Sequence, residues 1–66
     1  MNKKELQERV NINTHDIELI NREAINAWPN WGIMWGKMEY VMELVEIVID
    51  DLNDLYNIQV EEEGNV

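Results

Sequence analysis

Residues 31–56 read WGIMWGKMEYVMELVEIVIDDLNDLY, and their spacing is that of a long amphipathic helix. Set out as heptads from the first tryptophan, Trp31, Met38, Val45 and Leu52 take position a. Met34, Val41, Val48 and Leu55 take d, while Trp35, Met42, Ile49 and Tyr56 take e. All twelve are apolar or aromatic, a broad a/d/e face of the kind that packs in helical bundles. The β-branched run around Val45, Ile47, Val48 and Ile49 invites comparison with a strand. Strand alternation fails, because Val45, Ile47 and Ile49 would share a face that Val48 opposes, so the 3–4 period prevails. Asn30 stands where an N-cap belongs, with Pro29 just outside, which predicts one helix over 31–57. Gly32 and Gly36 each cost up to about 1 kcal/mol against alanine and weaken its first turns.

Working outward, Asn13 or Thr14 can cap an upstream helix, with Asp16 and Glu18 in its favourable first turn. Ile17, Ile20, Ala24 and Ala27 recur at helical intervals, and Pro29 disfavours helical geometry at Trp28, so this helix is predicted over 14–28. A connection this short implies an antiparallel αα-hairpin. Lys3 to Val10, with Leu6 and Val10 one turn apart, reads as a short N-terminal helix. The expected fold is therefore all-α: the helical hairpin, a short first helix, and dimerisation into a helical bundle. An upstream helix of 14–28 leaves half of the long apolar face uncovered, and a second copy is the natural cover. The expected dimer seam is Trp31, Met38, Val41, Val45, Val48, Leu52 and Leu55. One small domain is expected over 1–60, and the acidic tail 61–66, EEEGNV, has no apolar period and is expected to be frayed or disordered.

Sixty-six residues lie near the lower limit for a chain that folds alone. Cysteine is absent and there is one histidine, so neither a disulfide nor a zinc site staples the fold. Self-association is the remaining usual device. The N-terminal segment has positive charge without an apolar run behind it, unlike a signal peptide, and no apolar stretch spans a bilayer. A cytoplasmic setting is expected, with no cofactor and no metal.

Charge is distributed unevenly. The net charge is −9, yet residues 1–37 balance five acids with five bases. Residues 38–66 hold nine acids and no base. Glu39, Glu43, Glu46, Asp50 and Asp54 fall three or four residues apart, a carboxylate stripe at positions b, f, b, f and c, away from the apolar seam. Such a face can simply solvate a small protein. Like charges one turn apart nevertheless cost ~0.2–0.5 kcal/mol per pair, and carboxylates near a helix C-terminus oppose its dipole. The total approaches ~2 kcal/mol, which interspersed lysines would have avoided. The sequence thus reads as keeping a negative field for a basic protein partner, a field that repels nucleic acid and anionic lipid.

Carboxylates one turn apart recur every ~5.4 Å, comparable to the phosphate spacing of a nucleic-acid strand. In size, acidity and helical content the chain resembles the small nucleic-acid-mimicking inhibitors that phages use against host or defence enzymes. That resemblance implies a non-catalytic inhibitor that fills the phosphate groove of a nucleic-acid-processing enzyme. Glu39, Glu43, Glu46, Asp50 and Asp54 would supply the charge and Trp28 an aromatic anchor, with Trp31 and Trp35 continuing the seam. The alternative expectation is a homodimeric adaptor that binds a partner helix through its a/d/e seam, with the acids only solvating the outside. An enzyme fits less well. Serine and cysteine are absent, and His15 has no sequence partner. Glu43-x-x-Glu46-x-x-x-Asp50 resembles part of the carboxylate pattern of MazG-type nucleotide pyrophosphohydrolases, which hold magnesium. The family's second motif is missing, and these acids face away from the seam instead of converging.

Overall fold

The computed structural model describes residues 2–64. Two helices account for the fold: α1, Lys3–Asn26, and α2, Trp31–Gly64, joined by the four residues 27–30. They pack side by side as a hairpin of 55 × 15 × 14 Å. Each helix begins at an asparagine cap. The Asn2 carboxamide oxygen accepts from the Glu5 amide at 2.8 Å, and its NH2 donates to the Glu5 carboxylate at 3.4 Å. Asn30 accepts from the Ile33 amide at 3.1 Å, the cap that its position before the heptads predicts. In the turn, the Trp28 amide donates to the Ile25 carbonyl and the Asn30 amide to the Ala27 carbonyl.

Three expectations change. The short N-terminal helix and the helix of 14–28 are one continuous element, so neither Asn13 nor Thr14 is a cap. The reason is visible in the burial pattern. Leu6, Val10, Asn13, Ile17, Ile20, Ala24 and Ala27 form a single unbroken 3–4 stripe of buried and half-buried positions, in which Asn13 is one member. Helix α1 ends at Asn26 rather than at Trp28. At its far end α2 continues through Glu61–Gly64 instead of fraying, with Gln59 donating to Glu63 and Lys3 paired to Glu62 at 3.3 Å. Asn65 and Val66, the rest of the expected tail, lie outside the described residues.

With 24 residues, α1 is about 36 Å long and covers most of α2. What it covers is not the a/d/e face. The buried and half-buried residues of α2 are Met34, Lys37, Val41, Leu44, Val48, Asp51, Leu55 and Ile58, which are positions d and g. Arg9 and Asp51 fix the register. Asp51 is 1% exposed, and both of its oxygens accept from Arg9, from Nε at 2.6 Å and from Nη2 at 2.7 Å. The bidentate bond to Asp51 raises the Arg9 guanidinium above its ordinary pKa, against the lowering effect of burial. Because that shift is upward, the contribution is fully present wherever the free guanidinium is charged and is lost only at strongly alkaline pH. Glu23 and Lys37, 2.8 Å apart, repeat the device near the turn. Arg9 and Asp51 are each 21 residues from Asn30, and Glu23 and Lys37 are each seven. A slip of one heptad in one direction would set Asp16 against Asp51.

Arg9→Leu is expected to lower Tm by more than about 10 °C, because it strands a buried carboxylate. Arg9→Leu combined with Asp51→Leu is expected to recover most of that loss. Thermal unfolding followed by circular dichroism measures both. A double variant no more stable than the single one would show that the pair is not the source.

Candidate protein interface

The α1 seam occupies one side of α2 and leaves a second seam bare. Positions a and e of α2, from Trp31 to Tyr56, advance by 4, 3, 4, 3, 4, 3 and 4 residues, a complete heptad stripe in its own right. All eight side chains are exposed, from 38% at Val45 to 68% at Trp31. On a helical wheel their centre lies about 110° from the centre of the d/g face, so one packed helix cannot cover both. The expected seam is thus divided. Val41, Val48 and Leu55 pack within the hairpin, whereas Trp31, Met38, Val45 and Leu52 stand outside it.

The tryptophans gather at the turn end of this outer stripe. Trp28 is 63% exposed and packs edge-to-face against Trp31, with ring centroids 5.3 Å apart. Trp35 follows one turn later and is 67% exposed. These rings do not fill the closed end of the hairpin. The inward positions of α1 at that end are the small Ala24, buried, and Ala27, half-buried.

Four carboxylates of the row, Glu39, Glu43, Glu46 and Asp50, flank the same stripe at b and f, and Asp54 at c lies farther round the helix. Glu39, Glu43, Glu46, Asp50 and Asp54 are all exposed, and none forms an ion pair among the described residues. Three of the five basic side chains are engaged elsewhere: Lys3 with Glu62, Arg9 with Asp51, and Lys37 with Glu23. The two features form one surface, an apolar and aromatic stripe flanked along b and f by unneutralised negative charge. Behind the row, between positions b, c, f and g of α2 and α1, Gly32, Ile33, Gly36, Lys37 and Tyr40 with Ile20 line a shallow apolar depression.

Arg9, Asp51 and Lys37 were not among the expected site residues. Their signal was present in the opposite charges placed symmetrically about the turn, and it becomes readable once the hairpin is centred on Asn30. No group of three or more histidine or acidic side chains converges to hold a metal among the described residues. Compared with protein-family models, curated proteins and solved structures, the chain matches none. No helix is long and apolar enough to cross a membrane among the described residues.

In dilute solution the tryptophan emission is expected near that of free indole in water and open to acrylamide quenching. A blue-shifted, quencher-resistant emission at the same dilution would place the rings inside the hairpin.

Proposed function

We propose that this chain is a non-catalytic protein-binding module that presents its carboxylate row to a basic partner. In this reading it is an inhibitor of phage type that enters the phosphate-recognising groove of a nucleic-acid-processing enzyme in the cytoplasm of a bacterial host. The observation that carries it is the exposure of Glu39, Glu43, Glu46, Asp50 and Asp54 on one helical row, none of them in an ion pair among the described residues. A rigid row of this kind keeps its full field for an incoming cationic surface, speeds the encounter and makes it sensitive to salt. Trp28, beside Trp31, is an aromatic side chain held in the open at the turn end of the hairpin, where it can anchor the complex. Direct binding of nucleic acid is disfavoured by the same charge.

A second reading is favoured by a different observation. The outer a/e stripe is as regular as the buried d/g seam, and it suits an adaptor that binds a helix, either a partner's or that of a second copy. The acids then solvate its margin.

Affinity capture at low salt separates the two readings. The baits are the native chain and a variant carrying Glu39→Lys, Glu43→Lys, Glu46→Lys and Asp50→Lys with helicity retained. The inhibitor reading predicts a basic nucleic-acid enzyme held by the native bait alone and released by moderate salt. Capture of the same protein by both baits would remove the carboxylate row from the function.

A further inference from the structure

We infer that the outer a/e stripe of α2 is the interface of an antiparallel homodimer, in which the α2 helices of two hairpins pack against each other. This rests on the reading of that stripe as a helix-binding seam and names its occupant. Surface area supports an occupant of this size. The hairpin exposes 5236 Å², whereas a compact monomer of 7.9 kDa exposes about 4,400 Å². The excess of about 800 Å² equals one partner's share of a standard protein interface.

Spacing and width favour a second copy in the antiparallel sense. The steps of the stripe read the same in both directions, so an antiparallel copy falls into register along its whole length. Trp31 then meets the partner's Tyr56, Trp35 meets the partner's Leu52, and Met42 meets the partner's Val45. Each tryptophan is set against a smaller side chain, and the aromatic bulk is shared equally between the two ends. A parallel pair would stack Trp31 and Trp35 on their own copies at one end and Val45 on its own copy in the middle, which splays the helices. The flexible methionines suit an interface that must fit itself.

Charge acts against this dimer, which gives it a signature. A twofold axis across the helices places the same flank of each copy together, so Glu39 lies alongside the partner's Glu46. Added salt screens that repulsion and leaves the apolar contact intact. Self-association therefore tightens as salt rises, the reverse of the response expected for a carboxylate row on a basic groove.

Sedimentation velocity on the full chain, from low to high micromolar and at low and high salt, tests the proposal. The native chain is expected to form a dimer that tightens several-fold with salt. Met42→Asp with Ile49→Asp is expected to weaken it at least about 100-fold while keeping its helix content, because both positions are exposed in the monomer. The chain has no cysteine, so single-cysteine variants report register directly. An equimolar mixture of Trp35→Cys and Leu52→Cys is expected to give the mixed disulfide under air oxidation. In the antiparallel dimer, like positions lie about 25 Å apart along the axis. Disulfides only between like variants would overturn the antiparallel register, and a dimer that survives Met42→Asp with Ile49→Asp would place the interface elsewhere. A native chain that stays monomeric throughout would overturn the homodimer. In that event a synthetic helix with leucine at a/e spacing and lysine along its flanks decides the underlying reading. Binding to the native chain but not to Met42→Asp with Ile49→Asp keeps the seam, and no binding removes it.

Discussion

A helix with two complete heptad stripes needs two helical neighbours, and a two-helix hairpin supplies only one. That constraint governs everything distinctive about this protein. The d/g stripe of α2 is satisfied by α1, whose own 3–4 stripe runs unbroken from Leu6 to Ala27. The a/e stripe is left bare along its length, including Trp31, Trp35, Met42 and Tyr56. Burial of apolar surface is the main force available to a chain of this size, and a monomer forgoes half of what α2 offers.

The choice between the two stripes is made by polar groups. Apolar residues alone would let α1 rest on either stripe, since both have heptad spacing. Asp51 and Lys37 lie at g, and their partners Arg9 and Glu23 lie on α1 at matching distances from the turn. A bidentate arginine–carboxylate pair with a buried carboxylate is weak evidence for stability as such, but it strongly penalises any arrangement that separates its partners. Here it specifies both the face and the register of the hairpin. Glu39, Glu43, Glu46 and Asp50, which form no ion pair among the described residues, run beside the bare stripe at b and f and give the exposed surface its sign.

Much of the architecture was legible in the sequence. The 3–4 period of residues 31–56, the Asn30 cap and the Pro29 turn sufficed for the hairpin, the long second helix and the absence of strand character in 45–49. What was not legible has physical causes. Asn13 and Thr14 look like a helix start because their side chains favour caps, but burying the continuous stripe from Leu6 to Ala27 outweighs that local preference. Twelve apolar positions at a, d and e look like one broad face when hydrophobicity alone is counted. Position g was overlooked because it carries Lys37 and Asp51 beside Leu44 and Ile58, and charged residues do not announce burial until their partners are known. The candidate site followed the same pattern. The carboxylate row and Trp28 were readable one residue at a time, whereas the exposure of Trp31 and Trp35 required knowing which stripe α1 takes.

Residue-resolved hydroxyl-radical footprinting of the native chain tests this division of α2 most directly. Met34 lies at d beneath α1 and Met42 at e on the outer stripe, so one oxidation experiment compares the two faces with the same chemistry. In dilute solution Met42 is expected to react several-fold faster than Met34, and on concentration to become protected while Met34 is unchanged. A Met42 as protected as Met34 at every dilution would show that α1 covers the a/e stripe, and would contradict the account.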